Sequence, residues 1–264
     1  MAQQEQRIAV VTGASSGIGE AIARALAAQG WRCVLVARRE ERLLAVAGAI
    51  GGEIELCDVS DREAVERTAR AILARHPRIG LLVNNAGIPG RRGFAELDND
   101  PAGIEQVMRV NYLGSVWSLR AFLPGLEAEA ATGRRAHVVN IVSVAGAVAF
   151  PPSGPYCAAK HAQLAFSRSV AVELAPRNIA VHTVNPGFVE TEGFPQRGVL
   201  PRGVDRVVIE PADIAKHVAG LLGRGPSETV IPGYYRFAIA AQGLWPGLTH
   251  RVLRYLVARG LIRG

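Results

Sequence analysis

The feature that most constrains the fold is a strand-like run followed at once by a glycine-rich turn and a helix. Residues 7–12 (RIAVVT) are mostly apolar and β-branched, which is typical of a strand buried on both faces. Gly13, Gly17 and Gly19 then open an apolar-periodic stretch that Gly30 closes as a helix cap. Such a turn lets backbone N–H groups approach a pyrophosphate at the helix N-terminus. The segment therefore predicts the first unit of a dinucleotide-binding fold, with a plain tight turn as the alternative.

Strand-like and helix-like segments go on alternating along the chain. This pattern predicts a doubly wound (Rossmann) α/β fold, with a parallel sheet of about seven strands and helices on both faces. Neither a linker nor an internal repeat is visible, so residues 1–264 are expected to form a single domain. The further strands are predicted at 31–37, 53–59, 79–87, 136–143, 178–184 and 227–231. Helices are predicted at 61–75, 101–127 and 211–223, and a further helix carries Tyr156 and Lys160 and ends near residue 175.

The composition argues against several classes of protein. With 49% hydrophobic and 20% charged residues, the chain is expected to be globular rather than disordered. Its three cysteines, Cys33, Cys57 and Cys157, show neither paired nor metal-type spacing, so we expect no metal site and a reducing, cytoplasmic location. No signal peptide is expected, and no apolar run reaches the roughly 18 residues of a membrane-spanning helix.

The net charge of +7 is concentrated toward one end of the chain. All 23 acidic residues lie at or before Glu228, with 25 of the 30 basic ones, so residues 1–228 carry +2 and the last 36 residues carry +5. A nucleic-acid-binding protein would need a basic face with aromatic or motif support. We therefore expect no nucleic-acid partner.

The residues after the second predicted strand indicate which dinucleotide is bound. A carboxylate there would accept from the ribose 2′-hydroxyl of NAD, whereas an arginine accommodates the 2′-phosphate of NADP. The chain has Ala37, Arg38 and Arg39 at this point, and Glu40 and Glu41 belong to the following helix. NADP(H) is therefore favoured over NAD(H), with Arg38 as the principal contact. The alternative is that these arginines do not contact a cofactor and are simply exposed to solvent at the beginning of the next helix.

Other strand ends carry further candidates, since ligands of open α/β sheets lie outside the carboxyl ends of the strands. Asp58 follows the third strand, where it could accept from an adenine amino group or serve the N-terminus of the next helix. Asn84, Asn85, Ala86 and Gly87 follow the fourth strand, where small and amide residues suit a close approach of the backbone to a nucleotide.

Three more features concern the mouth and the floor of the expected pocket. The polar loop 88–100 is a candidate part of the mouth, and the Gly/Pro-rich stretch 188–210, which includes Leu200, predicts a lid over substrate. Asn111 is an amide among apolar neighbours in a predicted helix, which costs stability unless the amide is hydrogen-bonded. It is therefore either a satisfied core polar group or a functional one.

Tyr156 and Lys160 are the candidate catalytic pair. Four residues apart in a predicted helix, they lie on one face, one turn apart. A nearby positive charge favours the phenolate and lowers a tyrosine pKa from its ordinary value of about 10. Lys160 and Lys216 are the only two lysines among 30 basic residues, so a compact ammonium is used here where the chain otherwise has arginine. The alternative is an incidental pair on a surface helix.

These motifs resemble those of the short-chain dehydrogenase/reductases, in the branch with chains of about this length. They occur in that family's order and span most of residues 7–231. The matching motifs are TGASSGIG (12–19), NNAG (84–87), Asn111, Ser143 at the end of the fifth strand, Tyr156 with Lys160, and PGFVET (186–191).

The resemblance implies a role for each catalytic candidate. Tyr156 would be the general acid/base that exchanges a proton with the substrate oxygen, and Lys160 would lower its pKa and bond the nicotinamide ribose. Ser143 would hold and polarise the carbonyl or alcohol. Asn111 would help to fix a water that links Lys160 to solvent. Hydride transfer itself is the cofactor's chemistry.

The resemblance also implies the contacts of the cofactor. The glycine-rich turn would line the pyrophosphate, Asp58 and Val59 would flank adenine, Asn85 the adjacent ribose, and Val189 and Thr191 the nicotinamide carboxamide. The full candidate set for the cofactor is Gly13, Ser15, Ser16, Gly17, Ile18, Gly19, Arg38, Asp58, Val59, Asn85, Ala86, Gly87, Tyr156, Lys160, Pro186, Gly187, Val189 and Thr191. The candidate substrate pocket is apolar and comprises Val144, Ala145, Val148, Phe150, Phe188 and Phe194.

The chain departs from the family after the seventh strand, where many members end in a short tail that helps to pack a tetramer. Residues 232–264 instead predict an amphipathic helix with a basic side. Three interpretations are open: a cover over the pocket, an oligomer contact, or a peripheral contact with an anionic membrane. The residues behind this prediction are Trp245, Leu248, Val252, Leu256, Arg251, Arg254, Arg259 and Arg263.

The sequence thus predicts an NADP-dependent oxidoreductase that interconverts a carbonyl and an alcohol on an apolar small molecule, in a homo-oligomer. Two alternatives stay open. One is a catalytically silent NADP-binding sensor or partner-binding protein on the same fold. The other is a membrane-surface reductase of lipid-derived substrates.

Overall fold

Seven parallel strands form a single sheet at the centre of the molecule. The computed structural model describes residues 6–90, 101–197, 207–223 and 225–259. The strands are β1 (Ile8–Thr12), β2 (Arg32–Ala37), β3 (Glu53–Leu56), β4 (Leu81–Asn84), β5 (Ala136–Ile141), β6 (Ile179–Pro186) and β7 (Glu228–Ile231). Their order across the sheet is β3-β2-β1-β4-β5-β6-β7, which confirms the predicted doubly wound topology.

The helices cover both faces of this sheet. They are α1 (Gly17–Ala28), α2 (Glu40–Ile50), α3 (Arg62–Arg75), α4 (Pro101–Met108), α5 (Gly114–Ala130), α6 (Gly154–Leu174), α7 (Pro211–Leu221), α8 (Tyr235–Leu244) and α9 (Pro246–Ala258). One apolar core contains Leu26 of α1 and Ile214 of α7, and the other contains Ile72 of α3 and Phe122 of α5. β1 is buried along its whole length, as the sequence predicted for residues 7–12, and so are β4 and β5, whereas the edge strand β3 is only partly buried.

The direction of winding reverses between β1 and β4, and this reversal fixes where a ligand can bind. Val10 of β1 is in register with Val34 of β2 on one side and with Leu82 of β4 on the other. The loops that leave β1 and β4 therefore diverge to opposite faces and open a crevice at the carboxyl ends of the strands.

Two predicted helices differ from the observed ones. The helix expected at 101–127 is α4, a π-helical turn over Arg109–Leu113, and α5, which continues to Ala130. The single amphipathic helix expected within 232–264 is two helices, α8 and α9, separated at Trp245. Pro246 begins α9, as is usual for a proline at the first helical position, and its missing N–H prevents α8 from continuing.

The first helix packs so tightly under the glycine-rich turn that Gly19 has no room for a side chain. A Cβ at this position would lie 2.3 Å from the Gly13 carbonyl oxygen and 2.4 Å from the Asn85 Nδ2. The neighbour at Gly13 is backbone, so the clash cannot be relieved by a side-chain rotation.

We therefore expect Gly19→Ala to destabilise the fold by about 1–3 kcal/mol, as measured by urea unfolding. Gly48→Ala is the matched control, because Gly48 lies inside α2 and a Cβ there would meet nothing within 4 Å. That substitution should stabilise the protein by about 0.5–1 kcal/mol. Equal effects of the two substitutions would contradict the packing described here.

Candidate active site

A cleft of about 1060 Å³ opens at the carboxyl ends of the central strands. Small-molecule sites commonly measure roughly 300–1,000 Å³, so this cleft has room for a large ligand. Of the predicted catalytic, cofactor and pocket residues, all but two line it. The exceptions are Gly19, which lies beneath the glycine-rich turn, and Asn111.

The glycine-rich turn and the end of β4 are tied together at the cleft floor. Thr12 Oγ1 accepts hydrogen bonds from the backbone N–H groups of Asn85 (3.0 Å) and Ala86 (3.2 Å). The Asn85 side chain donates to the Thr12 carbonyl at 3.0 Å. Gly13 has a φ of +66°, and a Cβ there would lie 2.8 Å from the Ala86 Cα, so only glycine fits. The turn therefore presents bare backbone at the start of α1.

Two arginines line the end of the cleft next to β2, although only Arg38 was preferred from the sequence. Arg39 reaches back to the glycine-rich turn, where its guanidinium donates to Ser15 Oγ (3.0 Å) and Ser16 Oγ (2.6 Å). Arg38 Nη1 lies 3.3 Å from Asp58 Oδ2 in a partly exposed ion pair. This end of the cleft is consequently positive and rich in hydroxyl donors.

Asp58 organises the turn before α3 and is also part of the cleft wall. Its Oδ1 accepts from the Ser60 backbone N–H (2.9 Å) and from Ser60 Oγ (2.7 Å), which organises the turn before α3, yet it also lines the cleft. Partial burial raises the pKa of Asp58, but the Ser60 hydrogen bonds and the Arg38 charge outweigh burial and lower it overall. The carboxylate is thus ionised at neutral pH.

Ser143 and Tyr156 both line the cleft. Burial raises the pKa of Tyr156 to about 12, and a hydrogen bond involving the Ser143 hydroxyl partly offsets that rise. Phe194 lies over the tyrosine, with ring centroids 5.9 Å apart and an interplanar angle of 26°. The phenol is therefore held between a hydroxyl and an apolar cover.

Lys160 lies one turn further along α6 and is only 4% exposed. Its Nζ donates to the Ile141 carbonyl (3.1 Å) and to Gln163 Oε1 (2.8 Å), and it lies 5.9 Å from the centroid of the Tyr156 ring. Burial lowers the pKa of Lys160 to about 7.

These pKa values differ from the expectation that the Lys160 charge would lower the pKa of Tyr156. In the protein without ligand, desolvation controls both groups and shifts each pKa toward the neutral form.

Gln163 is a functional candidate that the sequence analysis missed. Its side-chain carbonyl accepts from Lys160, and its Nε2 donates to Ser115 Oγ on α5 at 2.8 Å. No motif marks it, because a glutamine within a helix carries no pattern of its own until the partner helix is in place.

Asn111 lies below the cleft rather than in its wall. Oδ1 accepts from the Ile88 backbone N–H (2.8 Å) and Nδ2 donates to the Ile88 carbonyl (2.9 Å), so the amide is satisfied and holds the loop after β4. Its helix widens to a π-turn at this residue, a feature that is common at functional sites. A Cβ at Gly87 would lie 3.0 Å from Asn111 Oδ1 and 4.0 Å from Lys160 Nζ, so both groups surround that glycine.

The wall opposite the glycine-rich turn is apolar and comes from three separate segments. All six predicted pocket residues are part of it. Tyr235 and Ala238 of α8 extend it, which agrees with the interpretation of the C-terminal segment as a cover over the pocket. Leu200 and most of loop 88–100 lie outside the described residues.

The end of β6 and the residues after it reach the glycine-rich turn. Pro186, Gly187, Val189 and Thr191 line the cleft, and a Cβ at Gly17 would lie 3.2 Å from Thr191 Cγ2. An exposed ion pair joins Glu192 of this segment to Arg42 of α2.

The residues present fit a nicotinamide dinucleotide. The bare backbone of the glycine-rich turn at the N-terminus of α1 suits a pyrophosphate, the arginine end suits a phosphate on the adenosine ribose, and the Ser143–Tyr156 end suits the ring at which chemistry occurs.

The buried ammonium should make the stability of the ligand-free protein depend on pH. The folded-state pKa of Lys160 is about 7 and an unfolded lysine has an ordinary pKa of about 10.4, so between these values the unfolded state binds more protons. The contribution of Lys160 to the free energy of unfolding therefore rises as the pH increases from about 7 to 10.

We predict that the unfolding free energy of wild type, relative to Lys160→Met, increases steadily over this pH range in urea titrations. Lys216→Met is the control, since it removes the other lysine from an exposed position on α7 and should give the wild-type pH curve. If the difference in unfolding free energy between wild type and Lys160→Met does not change with pH, the burial of a titrating ammonium is contradicted.

Comparison with known proteins agrees with this geometry. The short chain dehydrogenase family matches residues 7–198. A Streptomyces virginiae protein named as a monensin polyketide synthase putative ketoacyl reductase is 34% identical over 250 residues, which cover 87% of this chain and 93% of that protein.

Two solved structures show the same fold with a cofactor in place. A metagenomic short-chain oxidoreductase in complex with NADP is 35% identical, with a TM-score of 0.70 and coverage of 85% of this chain and 96% of that chain. The 3-ketoacyl-(acyl-carrier-protein) reductase of Brucella melitensis, complexed with NADH, is 28% identical, with a TM-score of 0.77 and coverage of 86% and 97%. The chain therefore belongs to the short-chain dehydrogenase/reductase family and is an NAD(P)-dependent oxidoreductase acting on CH–OH groups.

Proposed function

We propose that this protein interconverts a carbonyl and an alcohol on an apolar small molecule, with NADP(H) as cofactor and Tyr156 as the general acid/base. The observation that carries the proposal is that Tyr156 and Ser143 together line a dinucleotide-sized cleft that also has an apolar wall.

Tyr156 would give its proton to the substrate oxygen during reduction and recover a proton during oxidation. A pKa of about 12 keeps the phenol protonated at neutral pH, which suits the donor role. The Ser143 hydroxyl would hydrogen-bond to the same substrate oxygen and orient it. When bound, the reduced cofactor supplies the hydride that completes the reduction.

Lys160 would restore the proton to Tyr156 and hold the ribose of the cofactor. Two of the three N–H donors of an ammonium are taken by Ile141 and Gln163, and the third is available to a ribose hydroxyl. A pKa of about 7 lets Lys160 gain and lose a proton at neutral pH. Asn111, which is anchored to the backbone of Ile88, would help to fix a water that links Lys160 to solvent.

The preference for NADP(H) rests on the two arginines after β2. Arg38 and Arg39 would hold a 2′-phosphate together with the Ser15 hydroxyl, to which Arg39 already donates. The ion pair with Asp58 would keep Arg38 at the rim. A solved relative with NADP supports this preference, whereas the Brucella melitensis relative with NADH shows that the fold accepts either cofactor.

The substrate class follows from the wall around Tyr156. Phe150, Phe188 and Phe194 form it with aliphatic neighbours, so a hydrophobic ketone, aldehyde or acyl compound is favoured over a phosphorylated sugar. The name of the Streptomyces virginiae relative, a putative ketoacyl reductase, is consistent with such a substrate. The alternative of a silent cofactor-binding protein is disfavoured, because binding alone needs no phenol in the cleft.

Tyr156→Phe removes the proton donor and little else. We expect kcat for NADPH-dependent reduction of apolar ketones to fall by about 10²–10⁴-fold, with NADPH affinity changed less than about threefold, as measured by absorbance kinetics and fluorescence titration. Tyr255→Phe, on exposed α9, is the matched control and should be inert. Unchanged turnover in Tyr156→Phe would defeat the proposed chemistry.

Arg38→Asp reverses the charge that would face a 2′-phosphate. Because a hydrogen bond to a charged group contributes about 1.5–3 kcal/mol, the ratio of kcat/KM for NADPH over NADH should fall by at least about tenfold. Arg70→Asp, on an exposed face of α3, should leave the ratio unchanged. A wild-type enzyme that prefers NADH would show that the arginines serve another purpose.

A further inference from the structure

The exposed apolar surface of the described chain is concentrated on α8, α9 and the residues beside them. Large apolar side chains are exposed at 11 positions, and eight of these positions fall between Tyr234 and Val257. Single exposed apolar residues are ordinary on a protein surface, but a contiguous group marks an interaction site. The C-terminal surface, as we name it, consists of Tyr234, Phe237, Leu244, Trp245, Leu248, Val252, Tyr255 and Val257.

The geometry of α9 leaves one apolar stripe uncovered. Leu248, Val252 and Tyr255 are spaced by four and three residues, which aligns them on one helix face, and each is about half exposed (58%, 49% and 56%). Leu253 and Leu256 are partly buried, and the main neighbour of α9 is α8. The helix thus packs on α8 with part of its apolar arc and leaves the rest open.

The charge around this stripe is of one sign. Arg236, Arg251, Arg254 and Arg259 are exposed on the same two helices or at their ends, and the sequence has no acidic residue after Glu228. The Arg259 guanidinium lies 5.1 Å from the centroid of the Tyr255 ring. A segment that combines arginines, tyrosine and tryptophan with aliphatic side chains matches the composition of helices that lie in a membrane interface.

The charge distinguishes between the two kinds of partner that could cover the stripe. In a dimer formed through this surface, the C-terminal surfaces of the two copies would face each other. Both are positively charged and neither has an acidic residue, so they would repel each other. An anionic bilayer surface offers the opposite charge and an apolar layer for the side chains. We propose that the C-terminal surface docks on an anionic lipid bilayer, with α9 lying in the plane of the interface.

This docking would bring the catalytic cleft close to lipid. Tyr235 and Ala238 line the cleft from α8, the same helix that carries Phe237 on the C-terminal surface. None of the described helices is long and apolar enough to cross a bilayer, so the contact is one of surface attachment. If the proposed function also holds, apolar substrates can enter the cleft from the bilayer. The docking itself does not rest on that function.

The test measures vesicle binding, which is independent of catalysis. Full-length protein is floated with vesicles of phosphatidylcholine alone, or mixed with phosphatidylglycerol, at low and high salt. Two double variants remove one feature each: Arg251→Glu/Arg254→Glu reverses charge, and Leu248→Ser/Val252→Ser removes apolar area. The matched controls are Arg70→Glu/Arg120→Glu and Leu44→Ser/Val172→Ser, which make the same changes at exposed positions elsewhere.

Wild type should bind the anionic vesicles at least about tenfold more tightly than the neutral ones, with weaker binding at high salt. Each C-terminal double variant should lose at least about tenfold of that affinity, while both controls keep it and all variants keep the wild-type unfolding midpoint. Absence of binding to anionic vesicles, or equal binding to both kinds, would overturn the proposal. So would light scattering that shows an oligomer dissociated by the C-terminal variants, with no lipid bound, because the occupant would then be a second copy.

Discussion

The structure is built around an ammonium group that is held away from water. Removing the charge of Lys160 from solvent is unfavourable, and the Ile141 carbonyl and the Gln163 amide offset part of that free energy. These two acceptors satisfy N–H donors that burial would otherwise leave unpaired. The end of β5 and the first half of α6 are therefore fixed relative to each other, and Tyr156, one turn before Lys160, is fixed with them.

The hydrogen bonds that begin at Lys160 continue beneath the cleft into the sheet. Gln163 donates to Ser115 on α5. A second chain of hydrogen bonds joins Asn84 of β4, Asn140 of β5, Ser167 of α6 and Thr183 of β6, with spacings of 2.9, 2.8 and 2.6 Å. Buried polar groups that satisfy one another make a region rigid and specific, whereas a partly satisfied network is costly. The hydrogen bonds fix these side chains relative to one another, and among them the buried Asn84 Oδ1 is left without a partner in the part of the chain that the structure describes.

Much of this architecture could be predicted from the sequence, because it depends on local pattern. The buried strand β1 is almost entirely apolar, the glycine-rich turn indicates a close backbone approach, and the Tyr156–Lys160 spacing places two groups on one helix face. The order of these motifs then identified the family. The fourth strand is shorter than predicted: it ends at Asn84, and the Asn85 side chain turns toward Thr12.

The parts that could not be predicted depend on tertiary distances. Arg39 was less favoured than Arg38 because nothing in the sequence shows that its side chain spans to Ser15 and Ser16. Burial raises the pKa of Tyr156, whereas the Lys160 charge, 5.9 Å from the ring centroid, would lower it. Which effect is larger depends on distances and burial that the sequence does not give. Tyr235 was not predicted as a cleft residue, because no sequence motif indicates that α8 lies against the cleft.

The central claim is that the Tyr156 proton and a cofactor hydride are delivered to the two ends of one carbonyl group. The most direct measurement follows the hydride, using NADPH that carries deuterium at both positions of the nicotinamide C4 and an apolar ketone, with the product alcohol analysed by mass spectrometry. The account predicts an alcohol that carries deuterium on its carbinol carbon with wild type, and a near absence of labelled alcohol with Tyr156→Phe. Unlabelled alcohol from wild type, or equal labelling by both proteins, would contradict it.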